Sequence, residues 1–443
     1  MLLAACGGGA NNAASGGGNG GEQTASSESG GEKILRTNNK EEPGSLDPAI
    51  AKGTHESFII YQAFEGLMRY DENDELVPGQ AESYEVSDDG MTYTFKLRDG
   101  LKWSNGDPLT AKDFEYAWKR VIDPELASEY SFQITTYVKG AEEYFNGEGS
   151  IDDVGIKALD DKTLEVQLKA PTPYFLDITA FYTLLPVDEK VVSANPDWAK
   201  DPQGTEFVSN GPFKITEWNH KENIKLVKNE NYHEADKVKL DGLYFDILED
   251  DNTAYQKYEG GEYDVLVQPA PAVTAKAIQG EDPELKMGKD IGTYYFEFNT
   301  TEKPFNNINV RKALSMALDR KTIVENIAQG GQVPAEGVVP LGLNDDADKD
   351  FREANGNLIT EDVAKAKELL AKGLEEEGMS VEDLNNCTLS YNTDEAHKKI
   401  AQAVQEMWKQ NLGIEINLEN MEFQVLLDNR KAGNFQISRA GWM

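Results

Sequence analysis

Residues 386–440 alternate strand and helix with almost nothing between them. "NCTLSYN" reads as a strand and "EAHKKIAQAVQEMWKQNLG" as a helix ending at Gly413. "IEINL" reads as a second strand, "MEFQVLLDNRKAG" as a helix ending at Gly433, and "NFQISRA" as a third strand. Loops this short leave each chain reversal to a helix, so the three strands must run parallel with helices packed on the sheet. Ligands of open parallel sheets bind outside the carboxyl ends of the strands. Asn392 and His397 follow the first strand, Met421 and Phe423 the second, and Arg439 and Trp442 the third. The last strand carries an anomaly. At a period of two, Phe435, Ile437 and Arg439 share one face, so a guanidinium stands beside two large apolar side chains and needs a partner there.

The remainder is long enough for further domains, since 443 residues exceed one ordinary core. "KILRTNN" reads as a strand and "EEPGSLDP" as its turn-rich exit, and "FIIYQAFEGLMRY" is amphipathic. "MTYTFKL" puts Tyr93, Phe95 and Leu97 on one face, the pattern of a half-buried strand. Thr110 and Asp113 have capping-box spacing, and Phe114, Ala117, Trp118 and Val121 form a helical stripe ended by Asp123-Pro124. "TLEVQLKAP", "NIKLVKN", "LDGLYFDIL" and "EYDVLVQ" read as strands, and "TYYFEFN" opens the last third. Val310, Ala313, Leu314, Ala317 and Leu318 mark a helix there.

A formal net charge of -36 repels phosphate backbones and argues against a nucleic-acid partner. No apolar run is long enough to span a bilayer. Two cysteines, Cys6 and Cys387, exclude a disulfide framework in practice, and Cys387 reads as a small buried hydrophobe. In "LLAAC", Leu3, Ala4 and Ala5 before Cys6 look like a bacterial lipobox behind a shortened signal peptide, with Cys6 as the lipidated residue. The Gly/Ser/Asn-rich stretch 7–32 is a flexible linker. Its end-to-end distance is on the order of 25–30 Å.

Catalytic signatures are absent: there is no G-x-S-x-G, P-loop, H-E-x-x-H or G-x-G-x-x-G opening a helix. His55, His220, His233 and His397 have no metal-ligand spacing, and "DDADKD" (345–350) lacks the glycine of a calcium loop. The expectation is a binding protein, not an enzyme, with no cofactor and no metal.

Several segments together resemble one family, the peptide-binding substrate-binding proteins of ABC importers, and among them the oligopeptide-binding lipoproteins. They are "AESYEVSDDGMTYTFKLRDGLKWSNG" (81–106), "SLDP" (45–48), "FEGL" (64–67), "SNGPF" (209–213), "PFNNINVRKALSMALDR" (304–320), "YNTDEAHKKIA" (391–401) and "RAGW" (439–442). The resemblance implies an α/β fold: a periplasmic-binding-protein-like two-lobe clamp with an inserted third domain and mixed sheets flanked by helices. It implies lobe I at 33–64 and 189–291, the inserted domain at 65–188 and an incomplete lobe III at 292–443, after signal peptide and lipobox at 1–6. By resemblance the chain is C-terminally truncated.

The family holds its peptide as an extended strand by backbone hydrogen bonds, which give affinity without sequence preference. Carried over by position, Lys52, Gly53 and Thr54 would supply backbone contacts in the first lobe and Tyr130 would line the inserted domain. Gln268, Tyr295, Glu297, Asn392, His397, Phe423, Arg430, Arg439 and Trp442 would line the site, with Phe423 standing where the family often has Trp. The implied function is capture of oligopeptides for an ABC permease and its ATPase. The protein would be a monomer, lipid-anchored at the extracellular face of the bacterial membrane. A peptide-sensing surface lipoprotein, or a relative taking nickel, haem or another small ligand, is the alternative.

Overall fold

The structure, a computed structural model, describes residues 2–4, 31–195, 197–200, 207–288, 291–345 and 349–442. Cys6 and nearly all of the linker lie outside the described residues. The chain forms two compact units: one is 249–261 with 265–443 and the first residues, the other the described part of 6–248 with 262–264. No helix among the described residues is long and apolar enough to cross a membrane.

In the unit that ends at 248, a four-stranded sheet has the order Ile34–Asn38, Gly242–Asp246, Asn223–Lys228, Phe213–Asn219. Its first pair is parallel and the others antiparallel. A second sheet, wholly antiparallel, has the order Ala81–Val86, Thr92–Leu97, Thr163–Gln167, Ile156–Asp160. The period-two reading of "MTYTFKL" holds: Tyr93, Phe95 and Leu97 are buried, whereas Thr92 and Thr94 are half-buried and Lys96 is exposed. Helix Ala111–Val121 carries the capping box, with Asp113 Oδ2 accepting the Thr110 amide at 2.7 Å. Its stripe of Phe114, Ala117, Trp118 and Val121 is buried, and Trp118 Nε1 donates to the Leu184 carbonyl at 2.7 Å.

In the other unit, the sheet order is Thr293–Phe298, Ile437–Trp442, Thr388–Asn392, Asn417–Met421. The three strands expected to be parallel are parallel, and Thr293–Phe298 is added antiparallel at the edge. Helices Glu395–Leu412 and Phe423–Ala432 make the crossovers, and Gly413 and Gly433 end them at φ 72° and 73°. A left-handed residue at this position satisfies the last helical carbonyls, and glycine adopts it without a Cβ clash. The second strand begins at Asn417, three residues later than "IEINL" suggests. Ile414 and Ile416 are buried, but they fill the core from the loop, and Asn417 makes the first ladder bond, to the Cys387 carbonyl at 2.8 Å. An apolar alternation was thus a loop packed inward. Cys387 is buried as expected, and burial pushes its thiol up to about 11. Trp408 locks helix Glu395–Leu412 to helix Ile308–Met316 by donating from Nε1 to the Leu314 carbonyl at 2.8 Å.

Candidate functional site: a strand-end edge and a helix-entry segment

The carboxyl ends of the three parallel strands meet at one edge of the second sheet. Register fixes which face each side chain takes. Phe296 pairs with Arg439 and Phe298 with Ile437, while Glu297 pairs with Ser438 and Tyr295 with Ala440. Opposed residues share a face. Arg439 therefore stands on the face of Tyr294, Phe296 and Phe298, and Glu297 and Tyr295 on the other.

The anomalous cation is held by a ring and an amide. The Arg439 guanidinium carbon lies 4.9 Å from the Tyr294 ring centroid, a cation–π contact, and Nη1 donates to Asn392 Oδ1 at 3.3 Å. Its Nε has no hydrogen-bond partner among the described residues, and none of their carboxylates forms an ion pair with it. The sequence required a partner for this charge; among the described residues no carboxylate pairs with it directly, and the nearby acid, Asp394, acts on Tyr294. Tyr294 also packs against His397, centroids 5.6 Å apart. Burial, opposed by the nearby Arg439 charge, pushes Tyr294 up to about 12. His397 sits in the first turn of helix Glu395–Leu412, where Asp394 Oδ1 accepts its amide at 2.9 Å and lies 3.7 Å from its Nδ1.

On the opposite face, Arg430 grips Glu297 with two bonds, Nε to Oε2 at 2.9 Å and Nη2 to Oε1 at 2.8 Å. Such a fork is geometrically specific and neutralises both charges. Tyr295 beside it is pushed up by burial and then by the Glu297 charge. Phe423 opens helix Phe423–Ala432 half-buried, and Trp442 ends its strand 52% exposed.

The fold thus brings Asn392, His397 and Arg439 together with Tyr294 on one face, and Glu297 and Arg430 together with Tyr295 on the other. Gln268 is exposed, has φ 50°, and follows strand Val265–Val267. Tyr294 and Asp394 were missed. The alternation of "TYYFEFN" contained the signal for Tyr294, but only the register with Arg439 shows which parity matters.

In the other unit, Gly53 is the N-cap of helix Thr54–Ala63, with extended backbone (φ -125°, ψ 166°), and Thr54 is its first residue. Lys52 Nζ meets Glu129 Oε1 at 3.2 Å, and the Lys52 carbonyl accepts from Tyr130 Oη at 3.3 Å. Glu56, in the first helical turn, is 1% exposed, accepts the Gly44 amide at 2.9 Å, and is pushed up by burial. The expected segment Lys52–Thr54 is therefore joined to Tyr130 by a direct bond.

Comparison with known proteins agrees with this architecture. Residues 75–443 match the family described as bacterial extracellular solute-binding proteins, family 5 Middle. The chain belongs to this family. It is 46% identical over 415 residues to the oligopeptide-binding protein OppA of Bacillus subtilis (strain 168), covering 92% of this chain and 74% of that protein. The crystal structure of Haemophilus influenzae OppA in complex with RPPGFSPFR superposes with a TM-score of 0.84 at 34% identity, covering 93% of this chain and 80% of that one. The pheromone receptor PrgZ, solved to define its mode of peptide binding, superposes with a TM-score of 0.85 at 28% identity, covering 93% and 81%. These likenesses make the chain an extracellular-type solute-binding protein of the OppA fold.

Proposed function

We propose that this solute-binding protein captures oligopeptides as extended strands and hands them to an ABC importer. The observation that carries the reading is Arg439, a half-buried cation at a strand end with no acid partner among the described residues. A peptide carboxylate supplies the missing charge, and Asn392 and His397 stand beside it. The neutralised Glu297–Arg430 fork presents no net charge, which suits passage of varied side chains. Peptide contacts are proposed for Lys52, Gly53, Thr54 and Tyr130 as well. Residues 33–64 and 189–291 are proposed as lobe I, 65–188 as an inserted domain and 292–443 as lobe III. The chain carries out no chemistry in this scheme. Peptide-bound solved relatives of similar fold support the ligand class. The pheromone receptor among them keeps a sensing role open for the same site.

Mass spectrometry of co-purified ligands, followed by calorimetric titration with tripeptides of different side chains, tests the proposal. Backbone bonds net about 1 kcal/mol each, so a handful of them with charged contacts reaches micromolar affinity. Affinities across the series should stay within about 3 kcal/mol, roughly a hundredfold. A co-purified haem or metal, or no peptide binding at all, overturns the reading.

Lipid anchoring through Cys6 is part of the same proposal and has its own test. Expressed with a complete signal peptide, the protein should sediment with membranes and Cys6→Ser should release it to the soluble fraction. Equal sedimentation of both forms refutes the anchor.

A further inference from the structure

Beside Lys52, five aromatic rings touch in an unbroken chain. Tyr61 meets Tyr182 at 6.1 Å between centroids, Tyr182 meets Phe181 at 4.3 Å and Tyr130 at 5.8 Å, and Tyr130 meets Phe132 at 5.8 Å. Phe181 closes on Tyr130 at 5.4 Å. Most of these contacts are edge-to-face, the arrangement that favours aromatic pairs and holds the rings rigid. Tyr61 is 42% exposed and Phe132 41%.

Single exposed aromatics are ordinary on protein surfaces. This group differs in where its polar atoms go. The Tyr61 hydroxyl accepts the Tyr182 amide at 3.2 Å, and the Tyr130 hydroxyl donates to the Lys52 carbonyl at 3.3 Å. Tyr182 is buried, and burial, then the neighbouring Tyr130, pushes its hydroxyl up. Burial pushes the Tyr61 hydroxyl up to about 12 although part of its ring faces solvent, so the polar end is withdrawn and the carbon face is presented. Beside the rings, Lys52 and Glu129 form an ion pair at 3.2 Å, and Glu56 lies near Tyr182. The exposed part of Tyr61 and Phe132 is aromatic carbon.

We infer that this ring wall is a side-chain subsite, and that the protein prefers peptides carrying an aromatic or large aliphatic residue at the position that reaches it. The inference rests on the peptide reading, because the wall is bonded to the Lys52–Thr54 segment proposed to hold the peptide backbone. An apolar side chain laid on the rings gains dispersion and burial without stripping a hydrogen bond from any hydroxyl. A lysine or glutamate side chain laid on the carbon faces loses hydration without gaining a hydrogen bond from them.

Calorimetric titration of the 443-residue chain with trialanine and its three single-phenylalanine and three single-lysine variants provides the test. One phenylalanine placement should bind about tenfold tighter than trialanine, and lysine at that placement no tighter than alanine. Phe132→Ala and Tyr61→Ala alter exposed rings, and each should shrink the phenylalanine advantage by threefold or more. Leu159→Ala, exposed on the second sheet of the same unit, should leave the ratio intact. Equal affinity at every placement, or a phenylalanine advantage that survives both ring substitutions, overturns the subsite while leaving peptide capture standing. Failure of all seven peptides to bind overturns peptide capture itself, and the subsite with it.

Discussion

Replacing Glu65 with alanine should lower the unfolding free energy of the unit that contains it by about 4 kcal/mol, because several buried donors lose their acceptor together. The Glu65 side chain is 4% exposed. Its Oε1 accepts from Tyr232 Oη at 2.5 Å, and its Oε2 accepts from Gln80 Nε2 at 2.7 Å and contacts His233 Nε2 at 2.6 Å. Arg69 Nε adds an ion pair at 3.1 Å. Asn210 ties the same residue's backbone, accepting the Glu65 amide at 3.1 Å and donating to its carbonyl at 2.9 Å. Next to it, a Cβ on Gly211 would lie 2.6 Å from the Ala63 carbonyl carbon, so only glycine fits there. One residue, through its carboxylate and backbone, thus joins the segments of Gln80, Asn210 and Tyr232–His233. Urea unfolding followed by fluorescence of the buried Trp103, Trp118, Trp198 and Trp218 measures the loss. Glu65→Gln separates charge from shape: its amide turns at least one donor toward other donors, so it should cost about 2 kcal/mol. A Glu65→Ala loss below 1 kcal/mol would show that water or relaxation replaces the carboxylate and that the hub does not hold the segments.

That hub also explains why part of the chain was legible and part was not. "FEGL" and "SNGPF", two segments that carry the family resemblance, meet at Glu65 and Asn210 and face inward. A third, "SLDP", contains Asp47, which is 2% exposed. These motifs mark buried polar groups that must be satisfied, and such groups admit few substitutions. Their meaning as joints between segments 145 or more residues apart is invisible in one sequence, since nothing local to Glu65 points to Asn210 or Tyr232. Periodicity exposed the parallel strands and the stripe on Ala111–Val121 because burial there repeats with the geometry of the element. It misplaced the strand around Ile414 because a loop that packs two isoleucines inward imitates alternation.

The site divides in the same way. Strand order and the carboxyl-end rule bring Asn392, His397 and Arg439 to one edge from the sequence alone. What remained hidden was parity. Thr293–Phe298 contains adjacent tyrosines, and the antiparallel register alone sends Tyr294 to Arg439 and Tyr295 to the Glu297–Arg430 fork. The ring wall was hidden for another reason. Tyr61, Phe132 and Phe181 lie on three separate segments, and each alone reads as an ordinary core or surface aromatic.

Removing either partner of the Asp47–Arg120 pair should cost about 3–5 kcal/mol, the usual penalty for stranding one buried charge. Arg120 Nη1 donates to Asp47 Oδ1 at 2.9 Å and Nη2 to Oδ2 at 2.6 Å. The side chains are 12% and 2% exposed, so water cannot easily take either place. Asp47 Oδ1 also accepts the Ala49 amide at 3.0 Å, which shapes the turn leading to Lys52. Arg120 is anchored by helix Ala111–Val121, whose buried stripe fixes where the guanidinium can reach. The pair therefore ties the turn before Lys52–Thr54 to the helix with the capping box. Because most of the penalty comes from the orphaned partner, the double variant D47A/R120A should cost at least about 2 kcal/mol less than the sum of the singles. Arg120→Lys keeps the charge but loses the fork and should fall between wild type and R120A. Urea unfolding of the four proteins completing the cycle, with R120K as a fifth, decides it. Additive losses would show that the two residues stabilise the fold independently and that the bidentate contact contributes nothing of its own.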